Sequence, residues 1–186
     1  MSRDVTPAEA PAFMSERAPA DAWKTCYREL APKLLLFARQ WCSETADAED
    51  VVQTAFVKFW RRQPDAQREH WPLLYAAVRT TALDHLRGTE RRVRREAEPT
   101  VSVLREDDTF FDHAVQQHED AALVDGALRE LSTDQREILV LRIWGGLTFA
   151  EIATTLGESI NTVASRYRYA LEAVRRQLKP YAHERL

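Results

Sequence analysis

Glycine is scarce in this chain, five residues in 186, and few stretches alternate polar and apolar with period two. Sheet proteins lean on both, so the shortage argues against a sandwich or a barrel. Cysteine is rarer still: Cys26 and Cys42 stand far apart and in no CxxC pair. That argues against a disulfide framework and makes the cytosol the expected compartment. Both cysteines read as small buried hydrophobes. No run of about 18 apolar residues exists, so no membrane insertion is expected. Residues 1–20 lack the apolar centre of a signal peptide and read instead as a flexible tail rich in Ala, Pro and charge. Also missing are a glycine-rich phosphate loop, an HExxH pair and a nucleophile elbow. His113 and His118 lie near Glu119 and Asp120, but a five-residue spacing does not set both imidazoles on one helical face. The expected chemistry is therefore no catalytic residue, no metal and no cofactor.

What is present is apolar residues at three- and four-residue spacing almost throughout. Hydrophobic content of 45% and charged content of 30% describe a globular chain. The expected fold is all-α, with two small helical domains joined by an acidic linker. Residues 21–95 should form an N-terminal helical bundle and 119–180 a four-helix domain ending in a helix-turn-helix. The linker is 96–118, and 181–186 is a short tail. Net charge is −3, but the sum hides an asymmetry. From Pro99 to Gly126 one base faces seven acids, whereas from Arg142 to Lys179 six bases face three acids. Affinity for DNA grows with the phosphates neutralised, so this excess implies modest binding alone and a larger partner to supply the rest.

In the first block, Trp23, Tyr27 and Leu30 share a stripe, and Pro32 falls where the first turn of a new helix would tolerate it. Leu34, Phe37, Ala38 and Trp41 continue the apolar face. A third helix should begin near Asp47, with Glu49 and Asp50 at its positive end and Lys58, Arg61 and Arg62 at its negative end. Gln63 to His70 reads as a loop, and a helix from about Leu73 to Arg87, or on to Arg95, follows. Helices in the second block are expected over 121–131, 133–144, 148–156 and 160–179.

The sharpest local pattern is Leu147 to Leu178. Thr148 and Glu151 make a capping box, Gly157 sits just past the short helix where a left-handed residue is wanted, and Ser159 caps the next. That last helix should bury Ile160, Val163, Tyr167, Ala170, Leu171, Val174 and Leu178. Asn161, Thr162, Ser165, Arg166, Arg168 and Tyr169 project from its other side near its start. A helix fits the major groove, and amide and guanidinium groups at its N-terminal end suit adenine and guanine edges.

At this point the residues resemble a family. The run Leu131 to Arg142, then Gly146 to Ala153 and Asn161 to Arg166, is similar to the C-terminal domain of extracytoplasmic-function (ECF) sigma factors, of the sigma-70 family. Independently, Tyr27 to Leu34 and Asp47 to Trp60 resemble that family's core-binding helices, and Ala82 to Arg87 its minus-ten-reading helix. The resemblance spans roughly Trp23 to Leu178. It implies promoter recognition and transcription initiation, with RNA polymerase core, promoter DNA and an anti-sigma protein as partners. It further implies minus-thirty-five contacts from Thr148, Ser159, Asn161, Thr162, Ser165, Arg166 and Arg168. Minus-ten contacts would come from Arg79, Thr80, Asp84, Arg87 and Arg91, and polymerase docking from Asp47, Asp50, Gln53, Thr54 and Arg61. Trp71 and Tyr75, at i, i+4, read as a core pair rather than a base pocket. The chain departs from the family at Leu73, where a tryptophan is usual, at Thr80, usually asparagine, and at Ala164, often lysine. Those changes imply either weaker phosphate or base contacts or a different promoter sequence. The acidic linker would serve as an RNA mimic or as a solvated tether; the sequence leaves both open. A two-domain repressor would bind duplex DNA tightly by itself, and a sigma-sequestering adaptor would give no promoter-dependent activity.

Overall fold

The computed structural model describes residues 17–64, 67–96 and 119–182. The acidic linker from 97 onward, with Phe110, Phe111, His113 and His118, lies outside the described residues. So do 1–16 of the expected N-terminal tail and 183–186.

Seven α-helices and a single 3-10 turn make up the described residues, with no strand among them, as the missing glycines and strand patterns foretold. Helix α1 (Arg17–Ala38) is continuous and carries Pro32 inside it, so the expected break at Pro32 does not occur. An interior proline forfeits one backbone hydrogen bond. The apolar stripe through Leu30, Leu34 and Phe37, each with no exposed surface, runs straight past it and holds the two halves in register. Helix α2 (Thr45–Arg62) has Asp47 in its first turn and Arg61 and Arg62 in its last, matching the helix dipole. It buries Ala48, Val51, Val52, Ala55, Phe56 and Phe59.

The expected loop 63–70 is partly ordered by a 3-10 turn, Arg68–His70. The Gln67 amide N–H donates to His70 Nδ1 at 3.1 Å, which launches α3 (Trp71–Glu96) two residues before the expected start. Aromatic rings tie the three helices together. Tyr27 of α1 meets Phe56 of α2 edge-on at 4.9 Å, and Phe37 meets Tyr75 of α3 at 5.5 Å. Such pairs add about 0.5–1.5 kcal/mol each beyond their area.

The second group comprises α4 (Glu119–Arg129), α5 (Thr133–Ile143), α6 (Phe149–Leu156) and α7 (Ile160–Ala182). Ser132 caps α5 in a box with Gln135, and α5 packs against α7 and α6. The two groups also touch: α3 lies on α6 and α1 on α5. Their buried apolar side chains form one contiguous cluster.

Candidate nucleic-acid interface

Local chemistry shapes the α6–α7 corner. The Thr148 hydroxyl accepts from the Glu151 amide at 3.2 Å, and the Glu151 carboxylate accepts from the Thr148 amide at 2.6 Å. That backbone bond, first among the causes, holds the Glu151 carboxyl below its ordinary range. Gly157 then turns the chain at φ +70°, the left-handed conformation the sequence called for. The Ser159 hydroxyl accepts from the Thr162 amide at 3.1 Å and opens α7. Ile152, Val163 and Ala170 are wholly buried at the crossing, and Phe149 of α6 meets Tyr167 of α7 at 5.3 Å. Ile160 departs from expectation, being 53% exposed. A first-turn side chain leans toward the helix N-terminus, here beyond the surface of α6.

On the outer face Asn161, Ser165, Arg168 and Tyr169 are exposed, while Thr162 and Arg166 are half-buried. Arg168 lies over the Tyr169 ring, 5.3 Å from its centre. Thr148 and Ser159 are exposed too, each engaged in a cap. Arg166 alone is gripped by acids: Nη2 lies 3.3 Å from Asp134 Oδ2 and Nη1 lies 3.1 Å from Glu158 Oε1.

Along α3, Thr80, Asp84, Arg87 and Arg91 form one exposed row. The Thr80 hydroxyl donates back to the Ala76 carbonyl at 2.9 Å, Arg87 pairs with Asp84 at 3.2 Å, and Arg91 Nε donates to the Arg87 carbonyl at 3.0 Å. Arg79 stands apart from that row. Its Nε donates to both Glu137 carboxylate oxygens, at 3.2 and 3.1 Å. Glu137 is only 3% exposed, and its desolvation pushes the carboxyl above the usual range while Arg79 pulls it down.

Of the expected polymerase-docking residues, Asp50, Gln53, Thr54 and Arg61 are exposed on α2. Asp50 and Gln53 border a groove of about 840 Å³ between α1 and α2, lined also by Tyr27, Leu36 and Trp144. Asp47 instead faces α3, with His85 Nε2 at 3.3 Å. Tyr75 is 1% exposed and belongs to the core as expected. Trp71 is half-buried, with the Arg68 guanidinium 4.7 Å from its ring centre. Both cysteines are free, and burial pushes the Cys42 thiol up to about 11.

The sequence reading missed Asp134, Glu137 and Glu158 as partners of the two arginines. Glu137 left a trace, since it precedes the apolar run Ile138 to Leu141 in a helix, where a charge needs a partner. Nothing in the sequence named Arg79, 58 positions away.

Comparison with known proteins adds independent findings. Residues 26–92 match the family model described as sigma-70 region 2, and residues 121–174 match sigma-70, region 4. The RNA polymerase sigma-H factor of Pseudomonas aeruginosa is 32% identical over 168 residues, covering 82% of this chain and 83% of that protein. The RNA polymerase sigma-E factor of Streptomyces avermitilis is 32% identical over 146 residues, covering 78% and 79%. The ECF RNA polymerase sigma factor SigL of Mycobacterium tuberculosis is 30% identical over 165 residues, covering 87% and 92%. The fold is shared with the sigma factor RpoE of Bartonella quintana, solved in complex with the anti-sigma factor NepR. That likeness has a TM-score of 0.60 at 23% identity over 86% of this chain and 98% of that one. CnrH, solved with the cytosolic domain of CnrY, gives a TM-score of 0.58 at 23% identity over 88% and 92%.

Proposed function

The chain belongs to the sigma-70 family, as an RNA polymerase sigma factor of the ECF type serving promoter recognition and transcription initiation, and from that premise we propose how its parts divide the work. Residues 21–95 form the unit that docks on core polymerase and takes the minus-ten element. Residues 119–180 form the unit that anchors on the minus-thirty-five element. The family matches at 26–92 and 121–174 fall inside these bounds.

One observation carries the assignment of the second unit. Behind a capped helix and a left-handed glycine, α7 presents Asn161, Thr162, Ser165, Arg166 and Arg168 at its start. These groups are placed to read base edges in the major groove, and Thr148 and Ser159 at the two helix starts can meet the backbone phosphates. On α3 the exposed row Thr80, Asp84, Arg87 and Arg91, with Arg79 beside it, guides the opened single strand; cationic side chains track its backbone. Asp50 and Gln53, at the α1–α2 groove, with Thr54 and Arg61 further along α2, form the polymerase-docking face. Asp47 acts there by steadying α2 against α3.

Family membership makes the chain a transcription factor subunit, and RNA synthesis belongs to the polymerase. An anti-sigma protein holds the chain inactive, a partner suggested by the two neighbours solved with theirs. No helix among the described residues is long and apolar enough to cross a membrane, and the cytoplasm is the proposed compartment. The test is a pair of assays on Arg166→Ala, promoter-specific run-off transcription and binding to core polymerase. Transcription should fall while core binding holds; an equal loss in both would refute the division between the two units.

A further inference from the structure

Tyr169 stands on the outer face of α7, 53% exposed, directly before the wholly buried Ala170. Val163 and Ala170, neither with any exposed surface, fix the rotation of the helix. Residues four apart share a helical face, so Asn161, Ser165 and Tyr169 form one outer row. At about 1.5 Å of rise per residue, Tyr169 lies about 12 Å beyond Asn161, which matches the width of the major groove. Glu172 is the next exposed residue of α7, and its carboxylate marks where the row ceases to suit phosphate.

Arg168 supplies a second observation. Neighbouring residues on a helix diverge by about 100° and ordinarily do not face each other. The Arg168 guanidinium nevertheless lies 5.3 Å from the centre of the Tyr169 ring. Both side chains therefore lean together over the outer surface, where each restricts the other. A cation over the ring face leaves the edge of the ring and the edge donors of the guanidinium free.

We propose that Tyr169 is a specificity-determining residue, its ring reading the C5 methyl of a thymine in the minus-thirty-five element while Arg168 steadies it. This rests on the sigma-factor reading above and deepens it at the α7 face. Beside it, Asn161, Ser165 and Arg168 offer hydrogen bonds or charge, and Tyr169 brings the large apolar surface to the row. The apolar group that base edges present in the major groove is the thymine methyl, so thymine is the base this ring fits. A tyrosine has few torsions to freeze and loses little freedom on contact.

The experiment uses the full-length chain assembled with core polymerase. Its probe is a duplex library randomised over the upstream element of a fragment that the holoenzyme transcribes. The library is made once with thymine and once with uracil, which lacks the C5 methyl. At the position Tyr169 reads, wild type should enrich the thymine pair about fourfold more strongly than the uracil pair, the worth of one methyl group withdrawn from water. Tyr169→Ala should no longer tell the two pairs apart there and should keep its other preferences. Tyr169→Phe retains the ring and should behave as wild type, and core binding should be equal for all three. Wild type that treats the two libraries alike overturns the proposal, and that arm needs no variant to fold. A thymine preference that survives at every position in Tyr169→Ala overturns it too. So does an equal loss in Tyr169→Phe and Tyr169→Ala, which would assign the contact to the hydroxyl rather than the ring. In all three cases the sigma reading stands if the wild-type holoenzyme enriches an upstream motif. If it enriches none from either library, the sigma reading falls and the proposal with it.

Discussion

A guanidinium half-sunk between two carboxylates behaves differently from one waving in solvent, and Arg166 is of the first kind. Losing a bidentate base contact costs about 1–3 kcal/mol of discrimination. Arg166→Ala should therefore cut promoter-specific transcription roughly five- to 150-fold by the same contact energy, read by run-off assay beside an unchanged core-binding isotherm. Glu151 gives a second check at this scale, in pH. Its carboxyl is held below the ordinary range, so its contribution is complete above the unfolded value and drains as pH falls through the lower folded one. The stability gap between wild type and Glu151→Gln, measured by urea unfolding, should be present at neutral pH and close on descending below about pH 4.5. Which residues lie on the outer face at the start of α7 was legible, because capping and periodicity place them without tertiary information. Their acidic partners were not. Asp134 belongs to a different helix from Arg166, and Glu137 meets Arg79 across 58 positions, and neither spacing follows from a helical period.

Helix ends in the second block followed their signals closely. Ser132, Thr148, Gly157 and Ser159 each do what their side chains or the lack of one dictate. At Gly157 an added Cβ meets nothing within 4 Å, so the cost of Gly157→Ala is purely the left-handed backbone, about 1–2 kcal/mol. A drop of roughly 2–8 °C in melting temperature should follow, read by calorimetry. Gly145 fails for the opposite reason. A Cβ there would sit 2.5 Å from the Leu141 carbonyl oxygen, so Gly145→Ala must distort the end of α5. It should lower thermal stability although the substitution adds only a methyl, and an unchanged melting curve would contradict the packing described. Pro32 shows where local signals mislead. Proline marks a helix start when only neighbours count, but burial of Leu30, Leu34 and Phe37 along one face keeps α1 whole.

Over the whole molecule, two helical groups, each matching a separate part of one family, share a single apolar core. Their existence and order were legible from periodicity and from the charge asymmetry along the chain. Their packing against each other was not, because it rests on a few contacts such as Arg68 with Gly146 and Thr155 with Pro72 that carry no sequence pattern. A modest basic excess next to an acidic stretch also explains why this molecule should bind DNA weakly alone and strongly as part of a larger enzyme. The most direct measurement is to add the purified chain to sigma-free core polymerase with a library of genomic fragments and to sequence the starts of the transcripts. A sigma factor of this build gives a stable complex and starts preceded by a shared pair of upstream motifs. No complex, together with starts no different from those of core alone, would contradict it.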